Sequence, residues 1–250
     1  MEVKIILKNT KPKLSAGFDE IPWKLLKSSP ENIIIALSHI FNLSLQSGKL
    51  ISSFKTAKVI PLYKKGDTSD INNYRPTSLL SNISKILEKI MYLRIINFLN
   101  RHNFFFQNQF GFRKCHSTSQ AISLLINNIA NSFNKNEKTL AVFLDLSKAF
   151  DTISTEILLK KLDHYGIRGQ AYNWFKEYLH NRKQQVVCSG TTSNTTCTLN
   201  RGVPQDSILG PLLFLIYVND FNNCLTKSKA LMFADDTTVC TSHKNVSTLF

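Results

Sequence analysis

The stretch "GPLLFLIYV", Gly210 to Val218, is apolar on every side. A helix without a polar face has to be surrounded, so this run demands a chain that encloses it, with Pro211 suited to its first turn. Its strongly apolar part, Leu212 to Val218, is far short of the ~20 residues a membrane span takes. The expectation is therefore a core helix and no membrane. With 250 residues and 43% hydrophobic content there is enough chain for such a core, in one or two domains. No internal repeat or low-complexity segment divides it, so it reads as one continuous fold.

Periodicity supplies the other elements. After a polar lead-in over residues 1–14, "IPWKLLKSS" and "PENIIIALSHIFNLSLQSG" have helical spacing, with Ile33, Leu37, Ile40 and Phe41 on one face, Pro30 in a first turn and Gly48 as a C-terminal cap. "AKVIPLYKKGD" alternates like a strand that ends in a turn at Lys64-Lys65-Gly66-Asp67. "ISKILEKIMYLRIINFL" spaces Ile86, Ile90, Leu93 and Ile96 as a helix, with Lys85, Lys89 and Arg94 on its solvated side. "TSQAISLLINNIANSF", "STEILLKKLDHYG" (Ser154 as N-cap, Gly166 as stop) and "YNWFKEYL", with core aromatics, are further helices. "TLAVFLDL" reads as a strand buried on both faces that delivers Asp145 at its end. "QQVVC" and "TTCTL" suggest a hairpin, and "LMFA" and "TTVC" two short strands. The order fits an α+β fold with a small sheet.

Lys and Arg number 31 against 17 Asp and Glu, a net charge of +14. That suits a polyanionic partner such as nucleic acid, although a merely basic surface would look the same. The five cysteines are odd in number and lack metal-ligand spacing, which argues against a disulfide framework or structural zinc and for a reducing compartment. No basic, apolar, small-residue leader opens the chain, so the expected location is intracellular, in cytoplasm and nucleus.

Three carboxylates end strand-like runs: Asp145 after "AVFL", and Asp235 with Asp236 after "LMFA". An Asp-Asp pair in a tight turn between two strands is locally costly, because two-residue hairpin turns favour Gly or Asn at positive φ, and local cost hints at use. Mg²⁺ prefers hard oxygen ligands and keeps part of its shell for water and phosphates, so convergent carboxylates suit it. Taken alone, the pair also reads as a solvated surface turn.

Six blocks decide between these readings: "SAGFDEIPWKLLK" (Ser15 to Lys27), "NYRPTSLLSNISKILEKI" (Asn73 to Ile90), "NQFGFRKCHST" (Asn108 to Thr118), "VFLDLSKAFDTI" (Val142 to Ile153), "GVPQDSILGPLLFLIYVNDF" (Gly202 to Phe221) and "FADDTTV" (Phe233 to Val239). Together, and in this order, they resemble the reverse transcriptase domain of non-LTR (LINE-type) retrotransposons, particularly the jockey-like group; "RPTSLLS" and "FADDTTV" fit it better than group II intron or retron polymerases. The resemblance implies a reverse transcriptase domain over residues 15–250. Its right-hand polymerase fold would comprise fingers (about residues 15–138) and palm, with residues 165–198 adding to the palm, a small antiparallel palm sheet packed on helices, and the thumb absent because the chain stops first.

By the same resemblance, Asp145, Asp235 and Asp236 are the catalytic aspartates, and with the Leu146 carbonyl they hold two Mg²⁺ ions, Mn²⁺ being able to substitute. Lys64 or Lys65 with Arg75 would hold the triphosphate, Phe150 would act as a steric gate against ribonucleotides, and Gln205 would abut the incoming nucleotide. Gln109, Gly111, Phe112 and Arg113 match a template-binding block. Asp151 also matches, with capping of the next helix as its expected role. The implied partners are an RNA template, a DNA primer or target DNA, and dNTPs, bound largely through phosphates. The implied reaction is RNA-directed DNA synthesis, by target-primed reverse transcription in the full element.

Departures in three blocks bear on this. Asp206 stands where the family has glycine in PQGS, and Glu20, beside Phe18, stands where GPDGIP has glycine; Thr77 replaces the isoleucine of RPIS. A residue with a Cβ costs ~1 kcal/mol or more where φ is positive. A carboxylate beside a triphosphate adds repulsion of roughly 2–4 kcal/mol at an effective dielectric of ~20, unless its side chain points to solvent. The rival expectation is a degenerate, catalytically inactive nucleic-acid-binding remnant.

Overall fold

The computed structural model describes residues 2–188 and 190–245. In chain order the elements are α1 (Glu2–Asn9), α2 (Trp23–Lys27), α3 (Glu31–Ser47), β1 (Thr56–Tyr63), β2 (Tyr74–Leu79), α4 (Asn82–Arg101), α5 (Thr118–Asn134), β3 (Lys138–Leu144), α6 (Thr155–His164), α7 (Gly169–Leu179), β4 (Arg182–Cys188), β5 (Thr191–Thr192), β6 (Cys197–Leu199), α8 (Gly210–Val218), β7 (Lys229–Phe233) and β8 (Asp236–His243). They divide into two units by their internal contacts. The first holds the described residues up to Asn97 with Phe150–Leu213, and the second Phe98–Ala149 with the described residues from Phe214 onward.

The first unit is built on a mixed sheet of order β2-β1-β4-β5, with β6 also on β4; β1 and β4 run parallel and the other pairs antiparallel. Pro61, which has no N–H to donate, is tolerated in β1 because β4 pairs only with Thr56–Val59. Segment 165–198, expected to add to the palm, carries β4, which pairs with β1 and extends the β1–β2 sheet. The polar lead-in is also ordered: α1 buries Val3, Ile6 and Leu7, an i, i+3, i+4 stripe.

Apolar and polar burial are interlocked in this unit. Trp174, Phe175 and Tyr178 of α7 are buried, as their sequence predicts, with Trp174 stacked on Tyr178 at 5.4 Å between ring centroids. The Trp174 indole donates to Ser44 Oγ at 3.2 Å. Ser44 completes a buried line with Leu37 and Phe41 on α3, while Ile33 and Ile40 are exposed, so the buried stripe is offset from the one read in the sequence. Gly48 caps α3 at φ 66°, the left-handed conformation that glycine adopts without a steric cost. Ser154 caps α6 by accepting from Ile157 N.

In the second unit the sheet has the order β3-β8-β7 and is antiparallel throughout. β3 is an edge strand, and Phe143 within it is 72% exposed, so the apolar run "AVFL" is not covered on both faces as its composition suggests. A Ser117–Gln120 capping box starts α5. The all-apolar helix α8 is enclosed as expected, with Leu212 to Ile216 all buried.

Candidate active site

The register of the three-stranded sheet brings the three aspartates to one end. β3 pairs with β8 up to Leu144↔Thr237, so one further step sets Asp145 opposite Asp236. β7 and β8 close at Phe233↔Asp236, leaving a two-residue loop, Ala234–Asp235. Only Asp235 therefore lies in the turn, and Asp236 opens β8. Asp145 and Asp236 are exposed and Asp235 is half-buried. Ala234 has φ 58°, at the position where a type II′ turn wants glycine, a strain of about 1–2 kcal/mol.

These donors are hard oxygens with no thiolate or imidazole among them, a set that suits Mg²⁺ or Mn²⁺ over Zn²⁺. Among the described residues, no three His, Cys, Asp or Glu side chains converge closely enough to cage an ion by themselves. Mg²⁺ is commonly held by one or two carboxylates plus water and substrate phosphates, so the residues present fit that ion. Leu146, whose carbonyl was expected to join them, lies just beyond β3 and is half-exposed to solvent.

The block 108–113 packs directly against the aspartate turn. Gln109 is 2% exposed, and its side-chain oxygen accepts from Ala234 N at 2.9 Å and from Gly111 N at 2.8 Å, while its amide nitrogen donates to Ala234 O at 3.2 Å. A Cβ on Gly111 would come within 2.0 Å of Ala234 N. Gly111→Ala is accordingly expected to cost about 3 kcal/mol through forced overpacking, measured by urea unfolding. Arg113 donates to the carbonyls of Phe106 and Gln109, both at 3.0 Å, and burial holds its guanidinium below the usual arginine range. Of the four residues expected at the template, Phe112 is the one placed as an exposed side chain, at φ 55°.

The residues expected at the nucleotide belong to the first unit. Lys64 and Lys65 lie at the exposed tip of the β1–β2 hairpin, and Arg75 is on β2 opposite Leu62. The hairpin loop is internally bonded: Asn73 Nδ2 donates to Asp67 O at 2.9 Å, and Ser69 N donates to Asp67 Oδ1 at 2.9 Å, which holds that carboxyl below the usual aspartate range. Elsewhere in this unit, Gly202 N and Val203 N donate to the carbonyls of Ile153 and Phe150, joining segment 202–205 to segment 150–153. The join sets Gln205 Nε2 against both carboxylate oxygens of Asp151, at 2.9 and 2.8 Å. Asp151 thus orients Gln205, while the capping role expected of it is taken by Ser154.

Residues 63–248 match the family model described as reverse transcriptase (RNA-dependent DNA polymerase). This chain belongs to the reverse transcriptase family. It is 32% identical to the RNA-directed DNA polymerase from mobile element jockey of Drosophila funebris, over 96% of this chain and 27% of that protein. It is 31% identical to a probable RNA-directed DNA polymerase from transposon BS of Drosophila melanogaster, over 88% of this chain and 24% of that protein. More distant is the type-1 retrotransposable element R2 polyprotein of Popillia japonica, at 26% over 85% of this chain and 29% of that protein. The chain therefore spans about a quarter of the length of these curated relatives, and its likeness is to the jockey-like non-LTR group that the sequence blocks indicate.

The two positions at which the resemblance led one to expect glycine are held at positive φ: Glu20 at 56° and Asp206 at 62°. The Asp206 side chain is exposed. Its charge acts on Lys85, whose ammonium burial holds below the usual lysine range against the opposing pull of Glu88 and Asp206. Lys85 is thus partly withdrawn from water, where the sequence reading had it solvated. Asp206→Gly should stabilise the fold by about 1 kcal/mol, by removing a Cβ from a left-handed position, read as a rise in the urea midpoint.

A buried polar group that periodicity did not reveal supports the Gln205 loop. Glu88 of α4 is 1% exposed and accepts from Ile208 N at 2.8 Å, while Ser207 Oγ bridges Pro204 O and Gly210 N. Burial pushes the Glu88 carboxyl up from its usual range, against the pull of Arg182. Arg182 is itself buried, donates to Tyr178 O at 3.0 Å and lies over the Tyr178 ring. Burial, reinforced by Glu88, pushes the Tyr178 hydroxyl upward and keeps it neutral. The sequence signal was a lone Glu on the apolar side of "KILEKIM", which helical spacing alone does not separate from a surface charge.

Proposed function

We propose that this chain carries the polymerising chemistry of a non-LTR reverse transcriptase: transfer of a deoxynucleotide from a dNTP to a primer 3′-hydroxyl, directed by an RNA template. The single observation that carries the reading is the register that gathers Asp145, Asp235 and Asp236 at one end of a three-stranded sheet in a chain of this family. The names of the relatives, RNA-directed DNA polymerases of mobile elements, point the same way.

Asp145, Asp235 and Asp236, with the Leu146 carbonyl, would hold two Mg²⁺ ions, or Mn²⁺ in their place. Bound there, the ions supply a lowered pKa for the attacking hydroxyl and charge neutralisation for the leaving pyrophosphate. The remaining work falls to side chains. Arg75 would engage phosphate oxygens through its planar fork, and Lys64 or Lys65 as a point charge. Phe150 would press on the sugar face and exclude a 2′-hydroxyl, and Gln205, oriented by Asp151, would meet the incoming nucleotide. Phe112 is the best-placed candidate of its block for a template contact. The basic excess would hold the template–primer duplex through its phosphates, so binding should weaken steeply with salt. Target-primed synthesis would be the use of this chemistry in the full element.

The test is primer extension on an RNA template with dNTPs, against rNTPs and against chelator. DNA products that require dNTPs and a divalent cation support the reading. Retained RNA binding without synthesis, persisting in Asp206→Gly, would favour the inactive remnant.

A further inference from the structure

We infer that Gln109 is the positioning residue of the aspartate turn: its buried amide holds in place a hairpin loop whose own sequence does not favour that conformation. The inference rests on the proposal that Asp235 and Asp236 bind the cation, and it goes beyond the template contact that the family motif implies for Gln109.

Hairpins of two residues are normally held by Gly, Asn or Asp at positive φ. Here that position is Ala234, at φ 58°, so the loop requires outside support. The Gln109 side chain supplies it at both ends of one residue, accepting from Ala234 N at 2.9 Å and donating to Ala234 O at 3.2 Å. Its oxygen also accepts from Gly111 N at 2.8 Å, which ties the amide to its own loop. Only one amide orientation satisfies two N–H donors and one carbonyl together. The neighbouring backbone continues the clasp: Met232 N donates to Asn108 O and Phe110 N to Met232 O, both at 2.8 Å. Gly111 is the residue that permits this approach, since any Cβ there would strike Ala234.

The holding loop is braced in turn. Arg113 bonds the Phe106 and Gln109 carbonyls, and Asn219 accepts from Phe106 N at 2.8 Å and donates to Phe104 O at 2.9 Å. Gln109 therefore sits between a rigid loop and the strained turn, so a shift in its amide moves Asp235 and, through the first pair of β8, Asp236. It touches no reacting atom on this account; it acts through the aspartates.

Gln109→Met keeps the side-chain volume and removes three hydrogen bonds. Two readouts apply to the folded chain: amide hydrogen exchange at Ala234, and affinity for Mn²⁺ measured by water proton relaxation. The expected result is exchange at Ala234 faster by at least tenfold and Mn²⁺ affinity weakened about tenfold, the range found when partners behind a metal ligand are removed. Adding Ala234→Gly should recover part of both losses, because glycine adopts the turn unaided; a merely structural packing role for Gln109 would not be rescued at that position. Should Gln109→Met fail to fold, Gln109→Glu keeps the acceptor and should raise Ala234 exchange by a smaller factor. Unchanged exchange at Ala234 in whichever variant folds would overturn the inference. If instead Asp235→Asn leaves Mn²⁺ affinity intact while exchange responds as expected, the cation reading fails and the clasp by Gln109 stands.

Discussion

Asp235→Asn is expected to lower primer extension by roughly 10³-fold or more while leaving the fold and RNA binding intact. The substitution keeps the shape of the side chain, so β7 and β8 should pair as before around Phe233↔Asp236. It replaces a charged oxygen with a neutral amide at the point where, on the proposed mechanism, a cation neutralises developing charge on phosphate. That stabilisation is worth several kcal/mol, and each ~1.4 kcal/mol is tenfold in rate. Single-turnover extension with Asp235→Asn beside the unaltered chain reads the effect. A loss below tenfold would remove Asp235 from the reacting centre.

Glu88→Leu is expected to destabilise the chain by about 1–3 kcal/mol. The change removes the acceptor for Ile208 N and leaves that part-buried donor unpaired, which carries a cost of that size. Glu88→Gln separates charge from hydrogen bonding. Because burial raises the Glu88 carboxyl above its usual value near 4.5, the folded state keeps a proton that the unfolded chain has already released. This group's contribution is thus fully present below pH ~4.5 and is lost as pH rises through the higher folded value. Gln cannot ionise, so the difference in unfolding free energy between the native chain and Glu88→Gln should shift in favour of Gln as pH climbs from about 4.5. Urea unfolding across that range measures it. The Gln205 loop, which Glu88 pins at Ile208, should loosen in the Leu variant.

Elements carried by local chemistry were legible in the sequence. The all-apolar run 210–218 had to be enclosed and is; Ser154 and Gly48 cap their helices; the aromatics of α7 form core. What periodicity misjudged depends on partners that no local window contains. α3 carries apolar residues around much of its surface, so spacing alone did not decide that Leu37 and Phe41 are buried while Ile33 and Ile40 face outward. β3 reads as buried because it is continuously apolar, yet it lies at the edge of its sheet. α1 was passed over because polar residues interrupt its short Val3, Ile6, Leu7 stripe.

The candidate site divides the same way. Asp145, Asp235 and Asp236 were visible as carboxylates at strand ends, and the antiparallel register gathers them. The residues that hold them were legible only as motif matches. Nothing local to "NQFGFR" tells that the Gln109 amide faces the backbone of Ala234, 125 residues away, or that Gly111 exists to let it. Asp206 shows the converse: the φ of 62° expected of a glycine position is present, but its exposed side chain and its coupling to Lys85 temper the repulsion that sequence reasoning assigned to it.

The most direct test of the central claim is the anomalous scattering of Mn²⁺ in crystals of the chain grown with an RNA template, a DNA primer and a dNTP. Mn²⁺ is expected on carboxylate oxygens of Asp145 and of the Asp235–Asp236 pair, at roughly the 2.0–2.2 Å of a divalent ion on hard oxygens. Nucleotide and primer bound with Mn²⁺ absent from these three aspartates, or held elsewhere, would contradict it.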